Sequence, residues 1–380
     1  MRLAPVMGIT RVANVTGLDQ VGIPVVMVSR PNSRSVSVSQ GKGIDLPSAR
    51  ASGLMEAAEL YHAETIILPL RSGTYEELRY RHNIIDIDEI PRSSTSRFHP
   101  NLRLLWCEGR DLLSQDTVLV PYEIVHTNYT TPFPDGHGCF TATSNGLASG
   151  NERIEAIGQG ICEVVERDAM TLWKLRDEKE LEQNRLDLGS VDDPVCQKIL
   201  ERFSQAGLAV AVWDITSNIG IAAFACLIIP QDDSAMWHSS IALGYGCHPA
   251  RQIALVRALT EAAQSRLTVI SGLRDDIRRD SYDQLLDPDV LRAVRHRLSA
   301  AQWRRFRDVP HRDGDTLEDD VEWELKCITN VGIREVVVVD LTKPEFLLPV
   351  VRVIIPGLEP IFGANYTPGK RGRCILAKQS

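Results

Sequence analysis

The sequence lacks the features that would direct the chain into or across a membrane. Residues 1–6 do not begin the apolar core and cleavage site of a signal peptide. No stretch contains the roughly 18 uninterrupted apolar residues that a membrane-spanning helix requires. We therefore predict a cytoplasmic protein with no membrane partner.

Paired cysteines are also missing. The eight cysteines are spread singly along the chain, and none forms a Cys-x-x-Cys pair. This excludes the usual spacing of a zinc ribbon or a redox dithiol. Single cysteines in a long chain are typical of a reducing compartment, where most act as small buried hydrophobic residues. The run His137-Gly138-Cys139 leaves open a Cys/His nucleophile, against the simpler interpretation of a buried thiol.

An excess of positive charge is absent as well. The chain has 42 basic and 50 acidic residues, a net charge of −8, and the acidic residues are not gathered in a tail. Nucleic acids and anionic membranes bind basic surfaces, so we expect no nucleic-acid partner. The composition, 43% hydrophobic and 24% charged, is ordinary for a globular protein and excludes disorder, collagen and coiled coil.

Standard nucleotide and metal motifs fail. A Walker A loop ending at Lys42 needs Gly at position 36 and Ser or Thr at position 43, where the chain has Val36 and Gly43. The glycine pairs at 136/138, 158/160 and 244/246 do not complete the dinucleotide-binding pattern G-x-G-x-x-G. No HExxH, GxSxG or EF-hand pattern occurs. Any active site must therefore be built from residues outside these motifs.

The pattern of apolar residues predicts an irregular mixture of strands and helices. Strands are predicted at residues 23–28, 35–39, 102–106, 117–121, 208–216, 219–229, 335–341 and 349–355. Helices are predicted at residues 47–64, 151–180 and 250–273, with a charge-dense helical region at 274–320. Because no regular strand–helix–strand rhythm is present, an α+β fold is favoured over a doubly wound sheet. Residues 128–151 are predicted to form a long loop, and such loops are often functional.

The predicted helix that begins near residue 151 carries an unusual acidic face. At about 100° per residue, five polar residues fall within one arc of roughly 120°. They are Asn151, Glu155, Gln159, Glu163 and Glu166. A solvent-exposed face usually alternates Glu with Lys or Arg, but Arg153 is the only basic residue between positions 151 and 166.

Two further Ala-rich helices repeat this concentration of acidic residues. Glu56 and Glu59 lie one helical turn apart, and Arg257 precedes Glu261 in the less favourable order for an ion pair. Residues 53–59 (GLMEAAE) also resemble residues 258–264 (ALTEAAQ), by duplication or by the chance similarity of Ala-rich helices. Mg²⁺ binds carboxylate and phosphate oxygens, and an arginine beside it could bind a triphosphate. From the residues alone, a metal–phosphate site and ordinary solvated helix faces both remain open.

Three segments of the chain carry a distinctive combination of motifs. The first contains SQGKG at 39–43 and ASGLMEAAE at 51–59. The second contains SNGLASGN at 144–151 and EVVERDA at 163–169, and the third is RALTEAAQSR at 257–266. Together they resemble the YcaO family, and the resemblance spans most of the chain. The runs GITRVA at 8–13 and TGLD at 16–19 look like those of stand-alone members that work beside a TfuA partner in backbone thioamidation.

The resemblance implies an enzyme that uses ATP and Mg²⁺ to modify a backbone amide of a peptide or protein. A nucleophile attacks the amide carbonyl, and ATP phosphorylates the resulting oxygen, which leaves as phosphate. Sulfur as the nucleophile gives a thioamide, whereas a neighbouring Cys, Ser or Thr side chain gives an azoline ring. The family also implies one domain over residues 1–380, comprising a strand region (1–45), a core (46–273) and a helical segment with late strands (274–380).

The family pattern assigns site residues one by one to positions of this sequence. The expected metal ligands are Glu59, Glu155, Glu163 and Glu166. The ATP-binding residues expected from the family pattern are Glu56, Asn151, Arg167, Arg257 and Glu261. Lys42 is added to this set as a substitute for phosphate contacts that relatives make from an N-terminal segment. No catalytic residue is assigned. The expected partners are the peptide or protein substrate, a TfuA-like protein that delivers sulfur, and a second copy in a homodimer.

Two departures from the family pattern shape the functional expectation. Relatives usually have an extra N-terminal segment that contacts the phosphates, so either the start codon lies further upstream or Arg11 or Lys42 takes over those contacts. Ring-forming members commonly end in a Pro-x-Pro-x-Pro tail, which this sequence lacks. Thioamidation is therefore favoured, with an azoline-forming cyclodehydratase or a non-catalytic nucleotide-binding accessory protein as alternatives. The loop at 128–151 is expected to form part of the peptide channel.

Overall fold

The computed structural model describes residues 3–92, 94–231, 241–274, 288–298, 303–361 and 366–378. The chain divides into two compact units, each assembled from three segments. The first unit consists of Met1–Ala57, Asp177–Thr216 and Gly220–Asp313. The second consists of Ala58–Arg176, Ser217–Ile219 and Gly314–Ser380. The single domain over 1–380 and its three-part division stay predictions.

Helices and strands alternate irregularly along the described chain. The strands are β1 Arg11–Asn14, β2 Val25–Ser29, β3 Val38–Lys42, β4 Arg71–Thr74, β5 Arg103–Asp111, β6 Thr117–Pro121, β7 Leu147–Ser149, β8 Leu208–Asp214, β9 Ala223–Pro230, β10 Ala242–Cys247, β11 Val337–Asp340 and β12 Val350–Ile354. The helices are α1 Leu46–Glu64, α2 Tyr75–Leu78, α3 Arg153–Lys174, α4 Glu178–Gln183, α5 Pro194–Gln205, α6 Arg251–Ser271, α7 Pro288–Leu298, α8 Leu317–Asn330 and α9 Lys370–Ala377. None of these helices is long and apolar enough to cross a membrane.

Within the described residues, the named strands pair only in antiparallel fashion, which confirms the α+β prediction. In the first unit, β1-β2-β3 form one three-stranded sheet and β10-β9-β8 form another. In the second unit, a six-stranded sheet has the order β4-β5-β11-β12-β7, with β6 also paired to β5. Helix α3 packs against β7, β12 and α8.

Several predicted elements differ from the observed ones for identifiable reasons. The helix predicted at 151–180 stops at Lys174, because Asp177 takes an extended conformation and its side chain caps α4 through the Glu180 N–H. Strand β10 was not predicted, since its two glycines disfavour a strand. In the charge-dense region predicted at 274–320, residues 275–287 and 299–302 lie outside the described residues.

The first unit contains two strand–helix pairs with the same close approach. A Cβ added at Gly41 on β3 would lie 2.0 Å from the carbonyl oxygen of Ala49 on α1. A Cβ added at Gly246 on β10 would lie 2.2 Å from the carbonyl oxygen of Ala254 on α6. Only glycine fits at either strand position, and the two helix partners are spaced identically from their glycines. This correspondence is the geometry that a duplication would produce.

The core of the first unit lies between α5, α6 and the β8–β10 sheet. Phe203 and Phe224 are fully buried there, and Phe306 is 2% exposed. Small residues on α6, including Ala254 and Ala258, allow the helix to approach the sheet closely. Large side chains therefore fill the space beside the helix, while alanine and glycine line the helix–sheet contact itself.

A buried ion pair fixes the last described helix of the second unit. Asp168 on α3 is fully buried, and Arg371 on α9 donates to both of its carboxylate oxygens, at 2.8 and 2.9 Å. Glu359 donates its backbone N–H to Asp168 at 3.0 Å. The Glu359 carboxylate in turn accepts the N–H groups of Gly369 and Gly372. These contacts tie α9 to α3 through charged groups that are all paired.

The close approach in the first unit predicts the cost of adding one methyl group. Gly246→Ala should lower the free energy of unfolding by about 2–3 kcal/mol or more, because backbone atoms of α6 occupy the Cβ position. Gly17→Ala is the control, since a Cβ there meets no atom within 4 Å. Urea unfolding measures both. Equal stability of the two variants would contradict this account of the contact.

The buried pair in the second unit predicts a pH-dependent loss of stability. Arg371→Met should lower the free energy of unfolding by about 3–5 kcal/mol at neutral pH, because it leaves the Asp168 carboxylate buried without its cation. Burial already raises the pKa of Asp168, opposed by Arg371. Without that cation the folded-state pKa rises further above the unfolded value, so the deficit should shrink on acidification as Asp168 takes up a proton.

Urea unfolding across a pH series tests this second prediction. Arg373→Met is the matched control, since Arg373 lies exposed on the same helix and donates a hydrogen bond to the carbonyl oxygen of Pro368. Adding Asp168→Asn to Arg371→Met should restore part of the lost stability. A deficit that is independent of pH would show that the unpaired charge is not the cause.

Candidate functional site

Glu56 and Glu261 hold equivalent places on α1 and α6 of the first unit. Oε2 of Glu56 accepts a hydrogen bond from the backbone N–H of Gln40 on β3, at 3.1 Å. Oε1 of Glu261 accepts one from the backbone N–H of Tyr245 on β10, also at 3.1 Å. Each carboxylate therefore binds its helix to the glycine-bearing strand beside it. Burial raises the pKa of Glu56, opposed mainly by the Gln40 hydrogen bond.

Two basic side chains of the predicted site, Lys42 and Arg257, lie in the first unit with Glu261. Lys42, at the end of β3, forms an ion pair with Oε2 of Glu261. Arg257, one turn earlier on α6, donates from Nη1 to the carbonyl oxygen of Cys247 at 3.0 Å. Burial, and then the charge of Arg257, lowers the pKa of His248 to about 3, so this imidazole is neutral. The structure thus brings two of the predicted residues, Lys42 and Glu261, into contact, and it places His248 beside Arg257.

In the second unit, the predicted residues near the start of α3 hold one another. Glu155 accepts hydrogen bonds through Oε2 from the backbone N–H and the side-chain Nδ2 of Asn151, at 2.6 and 3.1 Å. Glu59 on α1 accepts a hydrogen bond from the hydroxyl of Ser149 on β7, at 2.6 Å. Sequence reasoning did not assign Ser149, although it lies in the SNGLASGN run. That run therefore orients two of the predicted metal ligands.

The remaining predicted residues lie further along α3. Glu166 is 8% exposed, and its Oε1 lies 3.5 Å from Nη1 of Arg167. Glu163 acts on Arg352 of β12: burial lowers the pKa of Arg352 to about 10, and the Glu163 charge opposes this shift. Sequence reasoning missed Arg352, because a single arginine among valines and isoleucines was read only as part of a strand.

A buried carboxylate, that of Glu123, binds backbone N–H groups of the long loop at 128–151. Glu123 accepts the backbone N–H groups of Gly138 at 2.6 Å, Cys139 at 3.0 Å and Phe140 at 3.1 Å. Its Oε1 also lies 3.4 Å from Nδ1 of His137. The loop is therefore ordered around residues 137–140, and it includes the short strand β7 that sequence reasoning did not predict.

Cys139 is a structural thiol in this arrangement. It is fully buried, and its Sγ donates to the carbonyl oxygen of Gly136 at 3.0 Å. Burial raises its pKa to about 11, which keeps it protonated. The buried-thiol interpretation is confirmed, and all eight cysteines are free.

The carboxylates present fit Mg²⁺ that arrives together with a nucleotide. Among the described residues, no group of three or more His, Cys, Asp or Glu side chains is arranged to hold a metal ion by itself. Mg²⁺ is usually held by one or two carboxylates, phosphate oxygens and water, and does not need an all-protein cage. In the second unit, Glu59 and the glutamates of α3 are such carboxylates, and Arg167 is a cation suited to phosphate. In the first unit, Lys42 and Arg257 are cations of the same kind.

Comparison with known sequences identifies one family. The sequence pattern of the family described as YcaO cyclodehydratase, ATP- and Mg²⁺-binding, matches residues 40–359. A protein of Rhizobium leguminosarum bv. trifolii, described as lying in the tfuA 3′ region, is 38% identical over 365 residues, which cover 94% of this chain and 86% of the relative. A protein of Methanothermobacter thermautotrophicus is 35% identical over 387 residues, 97% of this chain and 93% of the relative.

Solved structures share the fold. A YcaO protein from Methanopyrus kandleri, bound with AMPPCP and Mg²⁺, has a TM-score of 0.75 and 23% identity, covering 97% of this chain and 92% of its own. A heterocyclase in complex with substrate and cofactor has a TM-score of 0.78 and 25% identity, covering 96% of this chain. This chain spans about half of that heterocyclase, 51% of its length. The chain belongs to the YcaO family, and its expected cofactors, ATP and Mg²⁺, are those of the family.

Proposed function

We propose that the chain uses ATP and Mg²⁺ to activate a backbone amide of a peptide or protein, and that its product is a thioamide. The observation that carries the proposal is the set of glutamates on α1 and α3, two of which are oriented by Ser149 and Asn151. The relative in the tfuA 3′ region supports a TfuA-like partner that delivers sulfur. A cytoplasmic location and a homodimer remain part of this proposal.

Within each unit, the observed contacts favour particular roles for the predicted residues. In the first unit, Lys42 and Arg257 would neutralise phosphate charge, and Glu56 and Glu261 would fix the strands beside them. In the second unit the proposed metal ligands are Glu59, Glu155, Glu163 and Glu166, with Asn151 and Arg167 on ATP. When bound, ATP would supply a phosphoryl group: once sulfide has added to the amide carbon, the oxygen would accept this group with ADP as the leaving group. The oxygen would then leave as phosphate, so that sulfur replaces it on carbon.

Ring formation is the second candidate, and specific observations favour it. The matching family is described as a cyclodehydratase family, and one structural neighbour is a heterocyclase. In that reaction a Cys, Ser or Thr side chain of the peptide attacks the same amide carbon, and one water is lost. Both reactions need the same activation of the amide oxygen, so the nucleotide site alone does not separate them.

The proposed site predicts Mg²⁺-dependent nucleotide binding that requires Glu163. The Glu163→Gln variant should bind AMPPCP at least about tenfold more weakly in the presence of Mg²⁺, because a neutral amide is a poorer metal ligand than a carboxylate. Isothermal titration calorimetry with and without Mg²⁺ measures this. The control is Glu108→Gln, an exposed carboxylate on β5 of the same unit. Unchanged affinity in Glu163→Gln would refute the assignment of Glu163 to the metal.

Product mass separates thioamidation from ring formation. Cells that express the chain with a TfuA-like partner should contain a peptide or protein heavier by about sixteen daltons, and growth on sulfide labelled with heavy sulfur should shift that mass again. The label distinguishes sulfur-for-oxygen exchange from ordinary oxidation. Cells with Glu163→Gln are the control. Loss of about eighteen daltons would instead establish the cyclodehydratase, and nucleotide binding without any modified product would favour the accessory protein.

A further inference from the structure

A cavity in the second unit lies beside Arg352 of β12. It comprises about 510 Å³ of space, part of which is open to solvent. Most of its wall is apolar, from residues such as Ile124, Val164 and Ile355. The polar residues that line it are Thr141, Thr143, Asn145 and Arg352. Three of these four belong to the loop at 128–151.

Arg352 is buried without enough acceptors for its guanidinium. The residue is 3% exposed, and its Nη2 donates to the carbonyl oxygen of Thr143. Its Nε and Nη1 are buried and have no hydrogen-bond partner in the part of the chain that the structure describes. Buried donors without acceptors are costly, and a guanidinium only donates. A ligand that meets this need must present an oxygen acceptor.

Asn145, which lines the same cavity, requires a hydrogen-bond donor from a ligand. Its side-chain Oδ1 is buried and lacks a hydrogen-bond donor among the described residues. A ligand held by both side chains must therefore offer an acceptor to Arg352 and a donor to Asn145. A carboxylate or a phosphate supplies acceptors alone. A peptide amide supplies a carbonyl oxygen and an N–H group, and the apolar wall suits the carbon atoms on either side.

The cavity also adjoins the proposed metal ligands. Val164 lines it and directly follows Glu163 on α3, and the charge of Glu163 acts on Arg352. An amide held by Arg352 would thus lie next to a carboxylate proposed to bind Mg²⁺. We propose that this cavity binds a backbone amide of the peptide substrate, with Arg352 donating to the amide oxygen and Asn145 accepting from the N–H. This inference rests on the proposed function.

The probe for this subsite is N-acetylglycine N-methylamide, a minimal peptide without charge. Ligand-observed NMR should show binding to the wild-type chain and at least tenfold weaker binding to Arg352→Met. Arg352→Lys keeps the positive charge beside Glu163 but loses the planar fork, so it should also bind more weakly. Asn145→Ala should bind more weakly as well. Arg110→Met, which removes an exposed arginine from β5 of the same sheet, is the control and should bind like wild type.

Further measurements distinguish a loss of amide binding from a loss of folding. Methionine would remove two buried donors that lack acceptors, and such donors are costly, so the unfolding midpoint of Arg352→Met should not fall. Wild-type affinity for the amide in both Arg352 variants would overturn the proposal. Arg352-dependent binding of acetate or inorganic phosphate in place of the amide would overturn it too. Amide binding that needs Arg352, in a wild-type chain that fails to bind AMPPCP with Mg²⁺, would support the subsite and refute the proposed function.

Discussion

The contact between a glycine-bearing strand and an Ala-rich helix is the constraint on which the first unit depends. At Gly41 and Gly246, helix backbone occupies the place of a Cβ. The same contact brings a helix carboxylate onto a strand N–H, as in Glu56 with Gln40. Small residues are therefore required by the packing, and the position of the carboxylates follows from it. The carboxylates that we propose for nucleotide binding on these helix faces are therefore positioned by close helix–strand packing.

This constraint changes how the acidic helices should be understood. On sequence alone, Glu56 and Glu59 form a pair of like charges one turn apart. In the structure the first accepts a strand N–H and the second accepts the Ser149 hydroxyl. The two carboxylates thus have different hydrogen-bond partners, which indicates different roles. We infer that Glu56 chiefly holds its strand and that Glu59 is the better candidate for a metal ligand, even though the family pattern places both in one site.

Long, strongly patterned elements could be predicted from the sequence, and short or glycine-rich ones could not. The predicted helix at 47–64 and strand at 117–121 match α1 and β6 closely, because their local pattern and their packing agree. Strand β10 is not predicted because glycine is a poor strand former. Its two glycines are required by the close approach of helix α6, whose backbone leaves no room for a Cβ. Which hydroxyl or backbone group orients a carboxylate depends on contacts between distant segments, which periodicity does not encode.

Two buried charged side chains in the second unit, Asp168 and Arg352, differ in how fully their hydrogen bonds are satisfied, and this difference separates a structural role from a functional one. Asp168 has lost its water, but Arg371 and the Glu359 N–H satisfy it, so its burial is explained by the anchoring of α9. Arg352 has lost its water as well, and its Nε and Nη1 find no acceptor in the described chain. Burial of a charge has a cost, and a fold that retains an incompletely paired one forgoes the stability that an apolar residue would give. The pairing of Asp168 accounts for its place in the fold, whereas the place of Arg352 is explained by the amide ligand that we propose.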